Sequence, residues 1–229
     1  LSVTGGNRTT TYNISLSYLS QKGVMKFNTD KYDRYTLHSN ITTNVTKWWR
    51  VRSNILFTRS VNDQPYRFTS GQYDAWFYLL RWPRWYPYAD YEGKPFRSAV
   101  TDIKAGNRES LTSTYLRANL GTELNPLKNM TVNFDYTFGY VNDATKRNGG
   151  RVTAYDMFAT SPFSNYKDLY GSTHDRVIQQ SSYTLQNIFK AYATYKFALQ
   201  EKHDFKFMAG FDAETREALG HYSERRGLI

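Results

Sequence analysis

Carboxylate pairs such as Asp212 and Glu214 are the first candidates for chemistry. Two residues apart on a strand, they would share a face at about 7 Å, a separation that could fit a glycosidase pair. Both would sit on a wet surface beside Lys206, so charge compensation is expected and no catalytic role is assigned. The chain has no cysteine and only four histidines, scattered without a His-x-x-x-His pair. Thiol nucleophiles, disulfides, Cys-ligated zinc and iron–sulfur clusters are therefore excluded. There is no Ser/His/Asp spacing, phosphate-cradling glycine loop or metal-ligand cluster. The sequence is not expected to encode an enzyme, and no cofactor or metal is expected.

The other chemistry-bearing group is aromatic. Between Asn62 and Glu109 the chain carries Tyr73, Trp76, Trp82, Trp85, Tyr86 and Tyr88. A connection of that length is seldom idle. Rings with Arg and Asp neighbours suit stacking on a sugar, a peptide groove or contact with a partner. These six are the candidate ligand-binding residues; the competing role is to brace the loop internally, since a long loop must bury something to stay ordered. Gln72 to Arg81 could form a short helix ending before Pro83, and Asp90 to Lys94 reads as a turn.

The elements that must position these residues are strands. Of 229 residues, 40% are hydrophobic and 17% aromatic, with a mean hydropathy of -0.68. A chain this polar and this aromatic is neither an ordinary soluble core nor disordered. No run of about 18 apolar residues could form a membrane helix. The period is two: Met130 to Tyr140 alternates apolar or aromatic even positions with small or polar odd ones, a strand with one greasy and one wet face. The pattern predicts seven strands, at about 9–22, 33–46, 48–62, 110–124, 129–143, 177–198 and 203–217. They exceed the usual 5–6 residues and suit a membrane-spanning strand of about 9–11. Tight turns at Thr46-Lys47, Asn125 to Lys128 and Leu199 to Lys202 alternate with long links at about 23–32, 63–109 and 144–176. That segregation is the layout of a transmembrane β-barrel.

The fold class is thus all-β: an antiparallel up-and-down meander forming a curved sector of a large transmembrane β-barrel with long extracellular loops. Asn133, Asp135, Arg50, Arg52 and Asp212 are expected on the lumen side, with Arg59, Arg117, Lys190 and Lys206 also facing water. A cation on the lipid side costs about 2–4 kcal/mol at the midplane. The net charge of +10 then belongs to lumen and loops. Seven strands are the wrong number for closure, so residues 1–229 are expected to be part of a longer barrel. A nucleic-acid binder would fit the charge but not the strand parity, so nucleic acid is not an expected partner. A soluble carbohydrate-binding β-sandwich is the alternative, and would need short strands in two packed sheets.

The stretch Gly5-Gly6-Asn7-Arg8-Thr9-Thr10-Thr11-Tyr12-Asn13-Ile14-Ser15-Leu16-Ser17-Tyr18-Leu19-Ser20-Gln21-Lys22-Gly23 resembles the barrel region of SusC/RagA-type TonB-dependent outer-membrane transporters of Bacteroidetes. So do Asp33-Arg34-Tyr35, Ser39-Asn40-Ile41, Thr46-Lys47-Trp48, Leu80 to Pro87, Gly150 to Met157 and Lys206 to Asp212, in that order and spacing. The resemblance implies a 22-stranded barrel with an N-terminal plug. It further implies outer-membrane import of oligosaccharides or peptides, energised by TonB through an N-terminal region outside this segment, with a SusD-like surface lipoprotein and outer-membrane lipid as partners.

Overall fold

A computed structural model describes residues 1–66, 83–150, 153–155, 166–168, 176–199 and 203–227. Long strands dominate: β1 (Ser2–Gly6), β2 (Thr10–Lys22), β3 (Lys31–Asn44), β4 (Trp49–Tyr66), two-residue β5 (Asp90–Tyr91) and β6 (Lys94–Pro95), helix α1 (Ala99–Ala105), β7 (Asn107–Leu127), β8 (Met130–Asn148), β9 (Thr153–Tyr155), β10 (Tyr166–Asp168), β11 (Arg176–Leu199) and β12 (His203–Arg226). Eight of them form one antiparallel sheet in the order β1-β2-β3-β4-β7-β8-β11-β12. Strands that follow one another along the sheet pair directly, and among the described residues the only departures from chain order are the two small hairpins β5-β6 and β9-β10. The meander is as expected; a sandwich would divide these strands between two sheets. The strand count is eight, not seven. The extra member is β1, whose Gly5 lies under the ring of its partner Tyr12, with a Cβ there standing 2.5 Å from the Tyr12 Oη.

Register decides which side chains share a face, because directly paired residues project the same way and alternate along each strand. One row runs Gly5, Tyr12, Ile41, Ser53, Leu120, Tyr136, Phe189, Ala213; the next towards the tight turns runs Thr10, Thr43, Val51, Thr122, Phe134, Ala191, Phe211. From the Met130 row to the Tyr140 row this face is predominantly apolar. Ten residue steps span about 33 Å along a strand, or about 25 Å once a barrel tilt is allowed for, the height of an outward apolar band. Ile14, Leu16, Val132, Phe134, Tyr136, Phe207 and Phe211 lie on it, while Ser15, Asn133, Asp135, Thr137 and Asp212 lie on the other face. Crowding separates the two within β8: Phe134 is 47% exposed, whereas Asn133 and Thr137 are buried. A sheet curled towards its polar face compresses polar side chains and splays apolar ones.

Two of the polar side chains within the band find partners on the same face, as a hydrocarbon surrounding would favour. The Tyr136 hydroxyl donates to Asn187 Oδ1 at 2.7 Å, and the Trp49 indole N–H to Thr122 Oγ1 at 2.7 Å. One row beyond the band, Tyr18 and Tyr35 stack at 4.9 Å, and the Tyr18 hydroxyl donates to Asp33 Oδ1 at 2.8 Å. Arg59 shares this row, opposite Tyr35. It was expected on the wet face and lies instead on the outward one, just past the margin of the apolar band.

The turns are set by local chemistry. Asn7 Oδ1 accepts from the backbone N–H of Thr9 and of Thr10, both at 2.8 Å, closing β1 onto β2. The turn expected at Asn125 to Lys128 lies further on, at Lys128 and Asn129: β7 continues to Leu127, and a register irregularity between Leu124 and Leu127 accommodates Pro126, which has no N–H for the ladder. The strands also outrun their expected ends at the long-loop side, β4 to Tyr66, β8 to Asn148 and β12 to Arg226. The helix expected over 72–81 falls outside the described residues. The turn at Asp90 to Lys94 is present as the β5-β6 hairpin, with Glu92 at φ 49° and Gly93 at φ 74°, the left-handed pair that a two-residue hairpin loop favours.

Phe134→Arg, near the centre of the band, should cost about 2–4 kcal/mol of assembled barrel, and Ser15→Arg on the other face far less. Heat-modifiable gel migration after refolding into lipid vesicles measures both, and equal losses would contradict the assigned faces. Hydrogen bonds from Lys31, Ser20 and Tyr18 hold the Asp33 carboxyl down from 3.8 to about 2. Its stabilising contribution should be complete above about pH 5 and disappear as pH falls through about 2. Thermal melts of wild type and Asp33→Asn across that range should converge at the acid end.

Candidate functional site

The concave face gathers every expected lumen residue into two neighbouring rows. Arg52, Gly121, Asp135, Lys190 and Asp212 form one; Arg50, Glu123 and Asn133 fall in the next row towards the tight turns. Charges alternate across the strands and pair: Arg52 Nη2 lies 3.5 Å from Asp135 Oδ1, Lys190 Nζ 3.1 Å from Asp212 Oδ2, and Arg50 Nη1 3.6 Å from Glu123 Oε1. Arg50 Nε also donates to Asn44 Oδ1 at 3.0 Å. The Arg52–Asp135 pair reaches across an intervening strand. This works because position 121 is glycine: a Cβ there would collide with Asp135 Oδ1 and stand 3.3 Å from Arg52 Nε. Asp212 takes its partner from β11, not from Lys206 as expected. Glu214 accepts from Gln186 Nε2 at 2.6 Å. Both carboxylates of the first candidate pair are thus engaged, and no cluster of three potential metal ligands occurs among the described residues.

At the long-loop end the connections have a small core of their own. Phe96, Val100, Ile103, Ala154 and Ile178 are buried. Ser98 caps α1 by accepting from the Thr101 N–H at 3.2 Å, and Val100 and Ile103 lie three residues apart on the helix. Phe96 bridges Tyr155, and the Arg97 N–H donates to the Tyr155 carbonyl at 2.9 Å, joining two long connections. Asn28, at φ 48°, donates to the carbonyls of Ile103 (2.9 Å) and Gly106 (2.6 Å) and accepts from Arg108 Nη1 at 2.6 Å. A third connection is tied in by that residue. Beside it lies a cavity of about 410 Å³ lined by residues including Gln21, Gly23, Met25, Tyr32, Gln64 and Ile103. Its size is that of a small-molecule cleft. Gly23 leaves room there for the Asp30 carboxylate, which a Cβ would displace.

The aromatic candidates divide. Tyr73, Trp76 and Trp82 lie outside the described residues. Trp85 is 80% and Tyr88 55% exposed, and Tyr86 meets Trp85 edge-on at 6.1 Å. The loop's buried anchors are Phe96, Val100 and Ile103, so the exposed rings of Trp85 and Tyr88 are free of that task. The rim residues Asn28, Arg108 and the Gln21–Gln64 cavity were missed. The serine cap, the Val100/Ile103 spacing and Gly106 could have signalled α1. Nothing local signals the Asn28–Arg108 contact, which closes 80 residues of chain.

Fold and faces together define the wall of a transmembrane β-barrel, with an apolar band outside and ion-paired rows inside. No protein-family model matches the chain, and no curated protein matches it. Solved structures do. The RagAB peptide importer in its 'closed-closed' state matches with a TM-score of 0.69 at 20% identity, over 97% of this chain and 25% of that one. The RagAB peptide transporter matches at 0.67 and 21% identity, over 100% and 25%, and the importer in its 'open-open' state at 0.68 and 20%, over 97% and 24%. The chain thus spans about a quarter of the length of those it matches, and shares the fold of one sector of that barrel. The sequence resemblance to SusC/RagA-type barrels implied the same fold.

A double-mutant cycle on Arg52→Ala and Asp135→Ala should give a coupling below about 1 kcal/mol, since both groups are partly hydrated. Gly121→Val should cost more, about 1–3 kcal/mol, by overfilling the gap beneath the pair. Urea unfolding in detergent reads both.

Proposed function

We propose that this chain is a sector of an outer-membrane active transporter that imports peptides or oligosaccharides, energised through TonB and working with a SusD-like surface lipoprotein. The observation that carries the reading is the two-faced sheet: an outward apolar band about 25 Å tall, backed by a polar inner face whose charges pair across strands. A wall of that kind separates lipid from a hydrated passage. Peptides are the favoured cargo, because the solved structures that share this fold are of a peptide importer. The remaining strands, the plug and the TonB-contacting region would belong to other parts of a longer polypeptide. The long connections would then face the cell exterior, and their exposed aromatics would meet cargo or the lipoprotein lid.

In cells carrying the full-length protein, labelled peptide should accumulate only while TonB is intact. Uptake that persists without TonB would overturn the energised reading. A ring stacked on a ligand is worth about 1–3 kcal/mol in the nucleobase case. Trp85→Ala with Tyr88→Ala should therefore reduce uptake at low substrate by about fivefold or more, with surface level unchanged. Normal uptake would assign these rings to scaffolding.

A further inference from the structure

We propose that the outward wall just beyond the band, on its long-loop side, binds a phosphate-bearing anionic lipid through Lys22 and Arg59. The inference rests on the membrane reading above and not on the cargo. Rows stack here in the order an amphiphile requires. Leu16, Leu37 and Phe57 form the last apolar row; Tyr18, Tyr35 and Arg59 form the next; Ser20, Asp33 and Val61 follow, then Lys22, Lys31 and Asp63. Acyl chains would lie on the first, the glycerol region on the stacked tyrosines, and the phosphate between Arg59 and the lysines. Lys22 lies four residue steps beyond the Arg59 row along the strands, about 13 Å, and both long side chains can lean towards one headgroup while Lys31 is occupied by Asp33.

The charge balance points the same way. The two acids of this patch are already engaged. Asp33 is held by Lys31 Nζ at 2.7 Å and by Tyr18, and Asp63 by Arg108 Nε at 3.1 Å. Lys22 and Arg59 are exposed and have no acidic partner among the described residues. Lys22 stands directly opposite Lys31, whose charge Asp33 already compensates, so Lys22 is the uncompensated cation of that pair. Further along the wall, Lys146 projects outward in the same row as Lys22 and Lys31, where it would meet a neighbouring headgroup. A lipid is favoured over a free anion because the cations sit directly above an exposed apolar surface, with Leu16 at 52% and Tyr18 at 57% exposure.

The test uses the full-length barrel, purified in neutral detergent and stripped of lipid. Native mass spectrometry would compare retention of phosphatidic acid with that of phosphatidylcholine carrying the same acyl chains, and with inorganic phosphate. Phosphatidic acid should be retained about tenfold or more over phosphatidylcholine. The preference should vanish in Lys22→Gln/Arg59→Gln and persist in Lys47→Gln, at the opposite end of the sheet. As a measurement needing no variant, 1 M salt should abolish the preference in the wild type. Equal retention of the two lipids, a preference that survives the double substitution or high salt, or equal binding of inorganic phosphate would each overturn the proposal. Barrel formation is followed separately by heat-modifiable migration, so failure of the lipid site and failure of the membrane reading give different results.

Discussion

The structure depends on the rule that a peptide backbone in hydrocarbon must have every N–H and C=O paired within the protein. An antiparallel meander meets that rule strand by strand, each ladder satisfying one side of the next. From β2 to β11 every long strand has a neighbour on both sides. Pairing fixes register, and register fixes which side chains face lipid. A slip of one residue would turn the polar row of Asp135 and Lys190 outwards, at a cost for each charge larger than any ion pair it makes.

The inner face follows a looser rule. Arg52, Asp135, Lys190 and Asp212 pair, but each keeps substantial exposure, with side chains 39%, 22%, 53% and 59% accessible. Pairs of this kind contribute little to stability. Their effect is to set charges of opposite sign side by side on one face. Gly121 belongs to the same logic: its missing side chain lets an arginine on β4 reach an aspartate two strands away.

Parity was legible in the sequence because a two-residue period survives wherever one face is apolar. That is why Phe134, Leu16 and Asp212 were assigned to the correct faces without coordinates. Legibility ended where the hydrophobic contrast ended. Beyond Val141 the residues of β8 are polar or small on both faces, so nothing in the pattern marked the strand's continuation past 143 to Asn148. Strand β1 is too short and glycine-rich to alternate visibly. Arg59 broke parity because the penalty that enforces parity operates only inside the hydrocarbon. The rim escaped for a different reason: Asn28 and Arg108 are joined by the sheet, not by their neighbours in sequence.

The two ends of the sheet therefore answer to different physics. At the tight-turn end, the turns at Asn7 and at Lys128 and Asn129 reverse the chain in a few residues, with little surface left to present. At the long-loop end the strands rise past the band and become a platform. Phe96 and Ile103 give the connections a core, and Asn28 and Arg108 tie two of them to the strands beneath. A loop anchored in this way can hold Trp85 and Tyr88 in water without collapsing onto them, because the burial that orders it is supplied elsewhere. Exposed rings on an ordered loop lose less conformational freedom on meeting a ligand than rings on a floppy one.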